Sequence, residues 1–120
     1  MKRFRGILVL PVLAASASGC SRSLPVACPT GLPIEVSELV AHKTYSLQPG
    51  SSGHDAMVQW SKEHLDGWSP YLATPPSSGV IARCGDVQFQ FGGPSVLVRT
   101  SGGFFQHFFS DPPDYGFLHD

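Results

Sequence analysis

Charge is scarce in this chain and unevenly placed. Only 14% of its 120 residues are charged. Three of the eight basic residues, Lys2, Arg3 and Arg5, fall in the first five positions. Residues 20–120 therefore carry five basic against nine acidic side chains, a net of −4. The absence of any later Lys/Arg run excludes the basic footprint of a nucleic-acid binder. Long apolar runs are missing too. The stretch 7–13 is interrupted by Pro11 and falls well short of the ~20 residues a membrane-crossing helix needs. Cysteine occurs three times and never as C-x-x-C, which removes the dithiol redox signature. Neither H-E-x-x-H nor G-x-S-x-G is present, so a helical zinc-protease motif and a nucleophile elbow are both lacking. Glu35, Glu38 and Glu63 have no spacing that brings two carboxylates together for acid–base work. No internal repeat or low-complexity block occurs.

What is present begins with the first twenty residues. A basic head, a short apolar middle and the small-residue string Ala14-Ala15-Ser16-Ala17-Ser18-Gly19 are the parts of a secretory signal peptide. Its end, Ala17-Ser18-Gly19-Cys20, resembles the lipobox of bacterial prolipoproteins, with Ala at 17 where Leu is usual. The resemblance covers only these twenty residues. It implies a lipid on Cys20 as the mature N-terminus and attachment to the membrane through that lipid. With Ser21 rather than Asp next, it implies an outer-membrane anchor facing the periplasm. Ordinary cleavage after Ala15-Ser16-Ala17 is the alternative. An odd cysteine in an exported protein needs an explanation. Lipid on Cys20 supplies one, and leaves Cys28 and Cys84 as an expected disulfide. In the chain-entropy picture, closing so long a loop stabilises by about 4 kcal/mol.

The chain then divides into a signal peptide (1–19), a lipid-proximal tether (20–33) and a small domain (34–120), with residues enough for one domain and not two. The tether is rich in proline, and Cys28 would pin it to the body. Residues 34–47 read as a strand region with a bulge near Ser37-Glu38, where the alternation of Ile34 and Val36 fails to run into that of Leu39, Ala41, Tyr45 and Leu47. A helix follows the turn at 49–53. Ser52 and Asp55 resemble a capping box, and Ala56, Met57, Val58, Trp60, His64 and Leu65 fall in one arc, with Gly67 as the stop. Residues 68–74 form a short extended stretch broken by Pro70. Residues 80–84, 87–91, 95–100 and 104–109 alternate or run apolar between Gly-rich connections, the pattern of a meander. The expected fold class is α+β: an antiparallel β-meander of four or five strands with one amphipathic helix packed on one face through Trp60 and Met57.

Two groups compete as sites. His42 is placed on a strand, and His54 and His64 are ten apart, so no helical turn brings them together. His107, Asp111, Asp114, His119 and Asp120 lie within fourteen residues and have the donor types for a divalent ion. No fixed ligand spacing accompanies them, so no metal and no cofactor is expected. A small metal-dependent hydrolase using His107, Asp111, Asp114 and His119 is the enzymatic alternative. The other group is aromatic. Alternation puts Phe104 and Phe108 on one strand face and Phe105 and Phe109 on the other, and one helix covers only one face. Either Tyr115, Phe117 and Leu118 fold back over the second pair, or an apolar patch stays open for a partner. The expected binding set is Phe104, Phe105, His107, Phe108, Phe109, Tyr115 and Phe117. The functional expectation is a non-enzymatic envelope lipoprotein with a binding or structural role and a protein or peptide partner. An inhibitor or immunity-type protein against a toxin or envelope hydrolase is the alternative. Mass spectrometry of the mature N-terminus in a bacterial host should find diacylglyceryl-Cys20. An unmodified N-terminus at Ser18 would contradict the lipobox reading.

Overall fold

A computed structural model describes residues 21–93, 95–111 and 113–119. The expected signal peptide and Cys20 lie outside the described residues, as does the side chain of His119. The elements in chain order are β1 (Ile34–Glu38), β2 (Lys43–Leu47), α1 (Ser52–Glu63), β3 (Ser69–Pro70), β4 (Val80–Cys84), β5 (Val87–Phe91), β6 (Ser95–Thr100) and β7 (Gly103–Phe108). A 3-10 turn (Gly116–His119) closes the series. The strands form one sheet in the order β2-β1-β4-β5-β6-β7-β3, each neighbouring pair antiparallel. The α+β class therefore holds, but the sheet has seven strands rather than four or five.

The two additional strands have separate causes. Residues 34–47 are not one bulged strand. They form a hairpin whose turn, 39–42, places His42 at φ 55, so His42 lies in a turn and not on a strand. Histidine is among the few side chains that visit this left-handed region, and Leu39, Val40 and Ala41 masked the turn by looking like strand. The other addition is β3, where Pro70 is tolerated because it sits on a sheet edge.

The order of strands dictates how the chain wraps. It leaves β2 at one edge, and α1 carries it across one face to β3 at the opposite edge. Residues 71–79 then return across the other face to β4, which lies between β1 and β5. The helix face is the core. Val36, Ala82, Phe89, Val98 and Phe105 are cross-strand neighbours in one buried row. Met57, fully buried, and Trp60, half-buried, lay α1 onto this face, with the Trp60 ring 5.6 Å from Phe89 and 5.0 Å from Phe91. The helix start is one residue earlier than Ser52 implied: Ser51 is the cap, its Oγ accepting from the His54 N–H at 3.3 Å. The helix also ends before Gly67, at a His64 cap.

The expected tether segment is fastened along much of its described length. Arg22 and Trp68 pair backbone to backbone, and the Leu24 N–H donates to the Leu65 carbonyl. Val26 is buried, and the Cys28 N–H donates to Ser61 Oγ at 2.8 Å. Ser61 in turn donates to the Val58 carbonyl, so a buried hydroxyl is satisfied on both sides. Cys28 and Cys84 are joined, their Cα atoms 5.1 Å apart, which bolts this arm to the end of β4. Trp68 is the largest fully buried side chain among the described residues, and its indole N–H donates to the His64 carbonyl at 2.7 Å. A Trp68→Ala variant should lose about 3–5 kcal/mol in chemical denaturation. Trp60→Ala should cost less, because Trp60 is only partly buried where Trp68 is fully buried. Replacing both Cys28 and Cys84 by Ser should cost about 4 kcal/mol in the same assay.

Candidate functional site

Alternation along β7 divides the aromatic strand between the two faces. Phe105, His107 and the following Phe109 point to the helix side, and Phe104, Gln106 and Phe108 point away. The first set is a packed cluster. His107 stacks on Phe109 with centroids 4.4 Å apart, and Trp68 meets the His107 ring edge-on at 5.3 Å. His64 stacks on Trp60 at 4.2 Å and touches Phe109 and His107 at 5.5 and 5.9 Å. Phe105 is buried beneath the Arg22 guanidinium, 5.5 Å from the ring centroid.

The two imidazoles are oriented in the same way. His64 Nδ1 lies 2.7 Å from the Trp60 carbonyl oxygen, and His107 Nδ1 lies 3.0 Å from that of Phe108. A carbonyl only accepts, so Nδ1 is the donor in both rings. His107 Nε2 fills the place where a β-carbon at residue 67 would stand, 2.6 Å from that position. Gly67, at φ 88, is required twice, for its backbone conformation and for the ring that lies against it.

The tail does not cover the outer face. The 3-10 turn packs on α1, Leu118 is fully buried, and the rings of Tyr115 and Phe117 stand 5.9 and 6.5 Å from Phe91. The tail thus extends the helix layer beside Phe109 and leaves the other face to residues 71–79. The physical reason is that the open margin of the core lies at Phe91, where α1 ends its coverage. Of the carboxylates near His107, Asp114 accepts from the Gly116 N–H at 2.9 Å. No group of three or more His, Cys, Asp or Glu converges among the described residues.

On the outer face, Glu35, Arg83, Gln88, Arg99 and Phe104 are successive cross-strand neighbours. Arg83 donates to Glu35 at 2.6 Å and to Gln88 at 3.2 Å, and Arg99 lies 5.8 Å from the Phe104 ring centroid. Both members of the ion pair are exposed, so it fixes little beyond the local arrangement of these side chains. A cleft of about 380 Å³ is lined by Arg83 and Arg99 together with the Gly85-Asp86 turn, the start of β5 and the Thr100-Ser101 end of β6. Phe108 ends this face 64% exposed. At the far edge of the sheet, burial and then the Glu38 carboxylate hold the Tyr45 phenol above its ordinary pKa, so it stays neutral and acts as a hydrogen-bonding group.

The sequence-derived set therefore separates into three groups. Phe105, His107 and Phe109 join the inner cluster, Tyr115 and Phe117 join the core margin at Phe91, and Phe104 and Phe108 occupy the outer face. Sequence reading missed His64 and Trp68 as partners of His107. The only signal for them was the Gly67-Trp68 step, whose glycine had been assigned to the helix stop. No helix among the described residues is long and apolar enough to cross a membrane. Comparison with known proteins gives no match to a family model, a curated protein or a solved structure.

A Gly67→Ala variant should be destabilised by about 2 kcal/mol, from the left-handed backbone and the collision with His107. In a His107→Ala background the same substitution should cost about half as much, because only the backbone term survives. Equal costs in both backgrounds, measured by chemical denaturation, would show that the ring does not depend on Gly67.

Proposed function

We propose that this chain is a small envelope lipoprotein, anchored through Cys20, whose domain binds a protein or peptide partner and performs no catalysis. The contact surface is the outer face around Phe104 and Phe108. The observation that carries this reading is Phe108 itself. It is a large aromatic side chain on the end of a strand whose other inward and outward rings have found cover, yet 64% of it faces solvent. Leu72, on the segment after β3, is 95% exposed. Rings of this kind anchor interfaces because they bury a large area at the cost of few rotatable bonds. The inner members of the expected set, Phe105, His107 and Phe109, act as support: they hold β7 rigidly so that Phe108 is presented in one orientation.

The test is capture from an envelope extract by the lipid-bearing protein. Phe108→Asp should lose what the native chain captures, and its melting temperature should stay within a few degrees, since the side chain is not part of the core. Capture of the same species by both forms, or of none by either, would overturn the assignment.

A further inference from the structure

The residues crossing the outer face, 71–79, do more than fill it. Between this segment and strands β5–β6 lies a cavity of about 360 Å³. Tyr71, Pro76 and Leu97 give it apolar walls, and Ser78, Ser95 and Gln90 give it polar ones. No charged side chain lines it. Gln90 is 9% exposed, and its amide is held in one orientation: Nε2 donates both hydrogens, to the Pro76 carbonyl at 2.7 Å and to the Ser78 carbonyl at 3.0 Å. Two carbonyls at one end of the amide can only be met by its N–H groups, so the assignment of nitrogen and oxygen is fixed by chemistry. Oε1 is consequently turned the other way, and it accepts no hydrogen bond among the described residues. A buried amide oxygen without a donor carries a desolvation penalty that native proteins rarely leave unmet.

We propose that this cavity is a binding site for a small, neutral, flat molecule bearing a single N–H or O–H donor, which Gln90 Oε1 receives. Size, charge and shape each narrow the class. A 150 Å³ apolar cavity holds benzene, so roughly twice that volume suits a bicyclic ring system. A charged ligand would find no counter-charge on the walls and would have to shed its hydration uncompensated. Tyr71, whose hydroxyl donates to the Thr74 carbonyl at 3.3 Å, lines the cavity together with Leu97, so a planar ring has an aromatic and an aliphatic wall to lie against. The cavity adjoins the Phe108 surface, since Ser95 on its rim is the cross-strand neighbour of Phe108, but the Phe108 side chain is not part of its lining.

The test titrates protein produced from the full sequence with two probes of the same shape, indole and benzothiophene, of which only indole has a donor. Binding is followed by the side-chain amide resonances of Gln90 and the methyl resonances of Leu97. Indole should saturate, shift both sets of signals, and bind at least about tenfold more tightly than benzothiophene, the ratio expected of one hydrogen bond to a buried acceptor. Gln90→Met should reduce indole to the affinity of benzothiophene. Because that variant also releases the 71–79 segment, Ser95→Phe provides a second route. It plugs the cavity from its rim and should abolish binding of both probes with the melting temperature retained. Equal affinities for the two probes, shifts confined to other parts of the molecule, or no saturable binding of either (a cavity filled by water alone) would each overturn the proposal.

Discussion

A seven-stranded sheet has two faces, here one apolar and one mixed that carries Ile81 and Leu97 among polar and charged side chains, and the described residues hold one twelve-residue helix to cover them. The organisation of this molecule follows from that shortage. Burying a large apolar side chain contributes about 1.5–3 kcal/mol, so exposed rows on either face would remove much of a domain's marginal stability. The helix layer is therefore pieced together from three parts: α1 over Phe89 and Phe91, the arm from Arg22 to Cys28, and the tail with Leu118. Only α1 has a continuous ladder of its own backbone hydrogen bonds. The arm is secured by the disulfide, by Ser61 and by backbone bonds to Leu65 and Trp68, and the tail by packing and by two local bonds, Leu118 N–H to the Tyr115 carbonyl and Gly116 N–H to Asp114. The reverse face receives no helix and relies on the irregular 71–79 segment, fastened by two hydrogen bonds from Gln90.

Close approach is the second consequence of covering a sheet with irregular pieces. Three glycines among the described residues lack room for a side chain. Gly79 packs directly on the Phe91 carbonyl where the crossing segment enters β4, Gly92 lies against Gly79, and Gly67 makes way for the His107 ring. All three have positive φ. Gly67 and Gly79 stand at the two ends of the excursion to β3, one where the chain comes off the helix face and one where it finishes traversing the other. They set how closely each layer lies on the sheet. The His64 and His107 rings are locked by carbonyls of their own neighbourhood, so the inner aromatic cluster has a defined geometry before any ligand or partner is present.

How much of this was legible beforehand follows from the range of each interaction. Strands 80–84 and 87–91 were readable because alternation and a Gly-containing turn are local signals, and the helix was readable because its period is. The 39–42 turn was hidden because its left-handed residue is His42 rather than a glycine, and its apolar Val40 is turned to solvent. Trp60 is legible as a packing residue because it lies on a helical arc. Trp68 wins the interior through partners distant in sequence, Arg22 and His107, which no window could join to it. The tail's direction was misjudged for the same reason, since the gap it fills, at Phe91, exists only after α1 has docked. The Cys28–Cys84 pairing was accessible by counting. Gln90 was read only as the polar partner in an alternating strand, because its orphan oxygen depends on where Pro76 and Ser78 end up.

The demands of folding account for nearly every aromatic side chain on the helix side: each has a ring or a guanidinium against it, and each shields part of the sheet. They do not account for Phe108, which would serve stability as well if it were polar, nor for Gln90 Oε1, since the amide holds the 71–79 segment through its N–H groups alone. Local choices that work against stability are where function is to be sought, because selection for folding alone would remove them. Both lie on the face that the helix does not cover. That face is the one whose cover is irregular, and an irregular segment can leave a ring exposed and a cavity open where a helix, with its regular ridge of side chains, would have filled both.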